Sequence, residues 1–150
     1  MSTENVKRLA IDLTRSFPRS PRETLGGYVH AARMLDKCRA TIAGCNGEYH
    51  YDCPLDAYLL EFTGITADAF RNFVATGATD DEVAAWIAAH SQVQDRAAVV
   101  AWNNRMRCLR LCDIAIELQV FLEGYIPKFV PKGRPVTLWF DVYDLEEGRG

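Results

Sequence analysis

The chain has 150 residues, of which 49% are apolar and 25% are charged, and its formal net charge is −3. This length suffices for one domain that buries roughly two thirds of the surface its unfolded chain would expose. The composition is that of soluble globular proteins and excludes the disordered and fibrous classes.

Charge is distributed unevenly along the chain. Residues 1–50 carry a net charge of +3, residues 51–100 carry −6, and residues 101–150 are neutral. A basic third and an acidic middle can pair within one fold, whereas a dedicated nucleic-acid binder is usually basic overall. We therefore do not expect nucleic acid as a partner.

The N-terminal segment lacks the apolar stretch that a signal peptide needs, because its first twelve residues, MSTENVKRLAID, are polar and charged. The longest apolar runs are also too short to cross a membrane. Five cysteines at irregular spacing suit reduced thiols better than a disulfide framework. We expect a cytoplasmic protein that makes no membrane contact.

The predicted elements are helices with clear start and stop signals. After an N-terminal arm, residues 1–19, the sequence SPRE forms a capping box from Ser20 to Glu23, which predicts a helix from Pro21 to about Ile42. Pro54 begins a second helix that ends near Thr63 and Gly64.

Two further helices follow in the acidic middle, and a longer helical stretch comes after them. Thr66 caps the third helix, and a capping box at Thr79–Glu82 begins a fourth that runs to about His90. From about Gln94 to Gly124, apolar residues recur at helical spacing, which predicts one long helix or two in series.

The last 26 residues, 125–150, differ in composition, since prolines at 127, 131 and 135 predict an extended tail. Within it, VTLWFDVY (136–143) suits a short strand, with EYHY (48–51) as its partner, or a final turn of helix. The fold class we predict is therefore a single all-α domain over 1–150, with five or six helices, an irregular C-terminal tail and at most a minor β element.

The stretch LGGYVHAARMLDK (25–37) contains an anomaly, because it places two glycines in the second turn of the first predicted helix. Each costs about 1 kcal/mol relative to alanine in a helix, so close approach of a ligand or a neighbouring helix must compensate. On a helical wheel the first glycine falls within a row of basic side chains. This row predicts a binding site for a small anionic ligand at Arg22, Gly26, His30, Arg33 and Lys37.

Two other interpretations of the basic row stay open. Acids of the same chain could pair with it, either at Asp80–Glu82 or in the tail at Asp144, Glu146 and Glu147. Alternatively, the row could be a surface for a partner protein. Composition alone does not separate exposed apolar residues from core residues, so a homodimer is also an open interpretation.

Cys53 offers a different kind of site. It precedes Pro54 at a predicted helix N-terminus and follows His50 by three residues. A helix N-terminus favours the thiolate and an imidazole can act as a base, so Cys53 and His50 could form the thiol centre of a small enzyme. A capping cysteine without a catalytic role is the alternative, as are acid–base pairs such as Glu48 with His50 or Asp141 with Asp144.

Metal and cofactor sites are not predicted. Cys38, Cys45, His50 and Cys53 are ligand types close in sequence, but no C-x-x-C pair is present and Cys38 should face the core. The sequence also lacks the P-loop, H-E-x-x-H, G-x-S-x-G and G-x-G-x-x-G patterns.

Several segments together resemble a family of short bacterial cytoplasmic proteins defined as a domain of unknown function. The most specific are RSPRETLGGYVHAARMLDK (19–37) and FDVYDLEEGR (140–149), and the similarity covers nearly the whole chain. The resemblance implies a stand-alone bacterial protein and assigns no catalytic role to any residue. From the sequence we thus expect a small cytoplasmic binding or accessory protein for an anionic ligand or partner, with the thiol enzyme as the alternative.

Overall fold

A computed structural model describes residues 3–149 of the chain. Eight α-helices and one two-stranded sheet lie within this range, in the order α1–β1–β2–α2 to α8. The chain divides into two compact units, one up to Val99 and one from Val100 onward. The mostly helical fold confirms the prediction of fold class, while the predicted number of five or six helices is wrong.

The first unit contains α1 to α5 and the hairpin. Helix α1 spans Thr3–Leu9, β1 spans Thr24–Leu25 and β2 spans Tyr28–Val29. The remaining helices of the unit are α2 at Ala31–Ala43, α3 at Pro54–Thr63, α4 at Ala67–Val74 and α5 at Asp80–His90. Helix α2 packs against α1, β1 and α4, and its residues from Ala31 to Ala40 are all buried. It is therefore the central element of this unit.

The predicted starts of α3, α4 and α5 are confirmed. Thr66 accepts a hydrogen bond from the backbone N–H of Ala69, and Thr79 and Glu82 form a reciprocal capping box. Gly64 ends α3 in the left-handed conformation, with φ of 73°. Each of these signals acts within one turn of chain, which is why the sequence predicts it well.

The predicted helix from Pro21 to Ile42 is wrong in its first ten residues. Thr24 pairs with Val29 and Leu25 with Tyr28 in an antiparallel hairpin, which leaves Gly26 and Gly27 as its two-residue loop. Their φ angles are 60° and 84°, and a type I′ hairpin turn requires positive φ at both positions. The glycines are present because a β-turn needs them, and they never enter a helix.

The second unit contains most of α6, at Arg96–Arg107, then a 3₁₀ turn at Leu111–Asp113, α7 at Ile116–Phe129 and α8 at Trp139–Glu146. The apolar stripe from Gln94 to Gly124 thus forms two helices in series. A single β-bridge joins Arg110 to Leu138, so the strand partner proposed at 48–51 is wrong.

The arm and the tail are more regular than predicted. Helix α1 lies in the arm, and the tail segment 125–150 holds the end of α7 and all of α8. Pro127 lies inside the last turn of α7, where its missing N–H removes one backbone hydrogen bond without ending the helix. Residues 1, 2 and 150, at the outer ends of these two segments, lie outside the described range. The single domain over 1–150 stays a prediction.

Candidate functional site

A buried carboxylate, Asp56, joins the N-terminal end of α3 to α2. Its side chain is 0% exposed, and the Lys37 side chain is 4% exposed. Oδ1 of Asp56 lies 3.0 Å from Nζ of Lys37 and 2.5 Å from Nε2 of His30. Oδ2 accepts hydrogen bonds from the backbone N–H groups of Asp52 and Cys53 at 2.9 and 3.3 Å. Both oxygens of Asp56 are therefore fully hydrogen-bonded.

This environment keeps Asp56 ionised. Burial alone would raise its pKa, but the charge of Lys37 and the hydrogen bond from His30 outweigh that effect and lower the pKa well below its usual range. Asp56 and Lys37 thus form a buried ion pair at neutral pH. The pair fixes the N-terminal end of α3 against the middle of α2.

Cys53 lies at the edge of this pair and is half-buried. It is the N-cap residue of α3, and its Sγ accepts a hydrogen bond from the backbone N–H of Asp56 at 3.5 Å. Lys37 Nζ also donates to Sγ, at 2.9 Å. The ammonium of Lys37 and a backbone N–H at the helix N-terminus therefore both donate to one partly exposed sulfur atom.

His30 is buried between the hairpin and α2. Burial lowers the pKa of its imidazole, and the nearby charges of Lys37 and Arg33 act in the same direction against the opposing effect of Asp56. The neutral ring must therefore donate its Nε2–H to Asp56. The other ring nitrogen, Nδ1, has no hydrogen-bond partner among the described residues, so its lone pair is a buried acceptor without a donor.

Backbone strain is concentrated at the same place. Within residues 3–149, His30 and Asp52 are the two non-glycine residues with positive φ, at 69° and 68°. His30 contacts one oxygen of Asp56 through its side chain, and Asp52 contacts the other through its backbone N–H. Such strain persists where surrounding interactions over-determine the backbone, and it concentrates at functional sites.

A second ionic cluster lies on the same helix. Arg19 pairs with Asp36 at 2.9 Å and with Asp80 at 2.8 Å, and Arg39 pairs with the other oxygen of Asp80 at 2.8 Å. Partial burial alone would raise the pKa of Asp80, but the hydrogen bonds from the two arginines lower it. This cluster connects the segment before the hairpin to α2 and to the start of α5, which is a structural role.

Comparison with family models identifies one match, to a domain of unknown function, DUF5069, over residues 15–149. The chain belongs to the DUF5069 family. The match includes both ionic clusters of α2, the hairpin and α8. A comparison with curated proteins gives no match. Family membership therefore confirms the resemblance to a family of unknown function and assigns no activity.

The residues predicted to bind an anion do not form one helical face in this DUF5069 chain. Arg22 and Gly26 precede α2, and Arg22 donates its backbone N–H to Ser20 Oγ. A side chain added at Gly26 would place its Cβ 3.2 Å from the Cβ of Ala84. The space that we expected a ligand to occupy at Gly26 is therefore already filled by α5.

The other three predicted residues are 1–3% exposed rather than solvated. Arg33 donates to the backbone oxygen of Arg19 and lies over the ring of Tyr49. The structure does bring His30 and Lys37 together, but the anion between them is Asp56 of the same chain. Binding of an external anion stays a prediction.

The acids that we expected to pair with the basic row also pair with side chains outside that row. Asp80 serves Arg19 and Arg39, as described above. In the second unit, Arg149 pairs with Asp144 and Glu147, and Tyr125 donates to Glu146. Pairing with acids of the chain is therefore the pattern observed for Arg19, Lys37 and Arg39.

At Cys53 the side-chain donor is Lys37, where the sequence suggested His50. His50 is exposed, and Lys37 is the side chain that donates to Cys53. Asp56 is absent from the sequence-based candidates. The sequence CPLD (53–56) did indicate a structural role for Asp56, because an acid three residues after an N-cap is typical of a capping box. No local pattern could have revealed that Lys37 reaches Cys53 from sixteen residues away in the sequence.

Metal and membrane sites receive no support from the described residues. No group of three or more His, Cys, Asp or Glu side chains in that range could hold a metal ion. Burial raises the pKa of Cys38 to about 12, which disfavours the thiolate that a metal would need. No helix in the described range is long and apolar enough to span a bilayer.

Proposed function

We propose that this DUF5069 protein is a small thiol enzyme in which Cys53 is the nucleophile. One observation carries the proposal: Lys37 Nζ is 2.9 Å from Cys53 Sγ at the N-terminus of α3. Lys37 stabilises the thiolate, while Asp56 holds Lys37 in position through the buried ion pair. His30 positions Asp56 and does not contact the sulfur in this scheme.

The chemistry follows from these contacts. The Sγ lone pair of Cys53 forms a bond to an electrophilic carbon of the substrate, and the bond from that carbon to its leaving group breaks. The leaving group takes the electron pair of the broken bond and a proton from Lys37 Nζ, the donor in contact with the sulfur. A water molecule then attacks the same carbon: its proton goes to Lys37 Nζ, its oxygen bonds to the carbon, and the carbon–sulfur bond breaks so that Cys53 Sγ leaves as the thiolate. Atoms and charge therefore balance, and the enzyme returns to its starting state.

The walls of one surface groove include a residue adjacent to Cys53 in the chain, although Cys53 itself is not among its lining residues. A surface groove of about 340 Å³ begins at Asp52, the neighbour of Cys53 in the chain. Its walls come from α3, the following turn and the start of α4, and they are mainly apolar: Ala57, Leu60, Ile65 and Ala67, with Glu61, Gly64 and Thr66. We expect the substrate to place an apolar group in this groove.

The proposal is tested by the alkylation rate of each cysteine in one sample, followed by peptide mass spectrometry after iodoacetamide treatment at about pH 7, where an ordinary thiol is mostly protonated. Cys108 and Cys112 are exposed and serve as internal references. We expect Cys53 to react faster than both although it is less accessible. A slower reaction of Cys53 than of the two exposed cysteines would contradict the proposal.

Substitution of the cation gives the second arm of the test. Lys37→Met should lower the alkylation rate of Cys53 about tenfold, because the thiolate loses its counter-ion. Arg39→Met is the matched control, since Arg39 is a buried cation on the same helix that pairs with Asp80 instead. If both variants change the Cys53 rate equally, the effect is loss of stability and the proposed role of Lys37 is wrong.

A further inference from the structure

Helix α7 exposes several large apolar side chains to solvent. Four large side chains on it are strongly exposed: Ile116 (63%), Val120 (65%), Phe121 (62%) and Phe129 (49%). The ring of Tyr125 lies between two of these residues, 5.6 Å from Phe121 and 4.4 Å from Phe129. At 100° per residue, Ile116 and Val120 form one exposed apolar edge of the helix, and Phe121, Tyr125 and Phe129 form a second edge at least about 100° away. Exposed apolar groups of this size mark an interaction surface.

The strip of helix surface between these two edges carries one charge at each end. Glu117 lies in the first turn of α7 and Lys128 in the last. They are separated by eleven residues, which at 100° per residue returns to nearly the same angle on the helix, so both lie along one line. The line has a negative N-terminal end and a positive C-terminal end. Its charges are therefore complementary to those of a second copy of the helix that runs in the opposite direction.

A second α7 placed antiparallel on this face would match it position by position. With the two-fold axis between Leu122 and Glu123, Glu117 faces Lys128 of the second copy. Antiparallel packing also places opposite ends of the two helix dipoles together.

The middle of the face has a gap that fits this arrangement. A Cβ added at Gly124 would meet no atom within 4 Å, and glycine lets a neighbouring helix come close. In the register above, Gly124 faces Phe121 of the second copy, so the small residue receives the large ring. Charge and size therefore specify the same partner and the same register.

We infer that α7 is the interface of a symmetric homodimer in which two copies of the helix pack antiparallel across Gly124. The interface is isologous, because the same residues contribute from both chains. Charge complementarity of the face with itself favours a second copy over an unrelated protein. This inference is independent of the thiol chemistry proposed above.

The first test uses sedimentation velocity of the full chain over a range of concentrations. The wild-type protein should be a dimer, and Gly124→Leu should raise the dimer dissociation constant by at least about tenfold, which corresponds to about 1.4 kcal/mol of overpacking at a close contact. Ala89→Leu adds the same side chain at an exposed site on α5 and should leave the constant unchanged. A monomer at every concentration would overturn the inference and leave the face to another protein.

Charge exchange tests the register without changing the apolar surface. Glu117→Lys and Lys128→Glu should each weaken self-association, because like charges then face each other at both ends. Mixing the two variants should restore association as a heterodimer, in which every lysine again faces a glutamate. If the mixture associates no better than either variant alone, the antiparallel register is wrong.

Discussion

The buried pair of Lys37 and Asp56 allows a quantitative prediction. Asp56→Asn leaves the ammonium of Lys37 almost fully buried without its counter-ion. Removal of one partner from a buried ion pair costs about 3–5 kcal/mol. Because domains of this size unfold with about 5–15 kcal/mol, the variant should lose a large part of its stability.

Lys37→Met should cost less than Asp56→Asn. In Lys37→Met, Asp56 would keep three donors, the imidazole of His30 and two backbone N–H groups. In Asp56→Asn, the ammonium of Lys37 would keep its contact with a sulfur atom. The double variant removes both charges at once. Its loss of stability should be smaller than the sum of the two single losses by about 1–3 kcal/mol, the usual coupling of contacting residues.

Urea unfolding followed by tryptophan fluorescence measures these four free energies. The exposed pair of Arg110 and Asp113 provides a control cycle, since its side chains are 59% and 38% exposed at a similar distance of 3.0 Å. Water screens that pair, so its coupling should not be measurable. If the Lys37–Asp56 cycle is as additive as the control cycle, burial does not strengthen this pair and the reasoning is refuted.

Two further predictions concern the hairpin and the imidazole beside it. Gly27→Ala should lower the free energy of unfolding by about 1–2 kcal/mol because φ is 84° there. Gly27→Asn should lower it by less, because asparagine tolerates this conformation. Equal losses of the two variants in urea unfolding would contradict the turn assignment. Folding holds His30 neutral, so as pH falls below about 6.5 the unfolded chain binds a proton first and stability should fall by about 1.4 kcal/mol per pH unit until the lowered pKa is reached. His30→Gln should remove this part of the slope in urea titrations at several pH values, and an unchanged slope would show that other groups cause it.

The sequence predicts best those features that depend on a few adjacent residues. The caps at Cys53, Thr66 and Thr79 and the left-handed end at Gly64 are local, and α3, α4 and α5 begin where they were expected. The segment 20–30 shows the limit of this method. Ser20, Pro21 and Glu23 suggest a helix start, while Gly-Gly suggests a hairpin, and pairing of Thr24 with Val29 decided between them.

The candidate site could be predicted only in part because its contacts are not local. The sequence placed His30 and Lys37 together, but on a solvated face. It placed Cys53 at a helix N-terminus and suggested His50 as its partner, whereas Lys37 is the side chain that donates to its sulfur. On a solvated helix, the basic residues of α2 would be available to an external anion. Because α2 is buried on all sides, each of them instead needs an acid from elsewhere in the chain. Asp56 and Asp80 supply that charge from α3 and α5.

The complete enclosure of α2 also limits how the first unit can open. Ten consecutive residues, Ala31 to Ala40, have no exposed side that could stay in place while the rest moves. Partial opening must therefore begin at the periphery, and α2 loses its surroundings only when most of the unit comes apart. Cys53 contacts Lys37 of α2 and is therefore bound to the helix that is last to open in its unit.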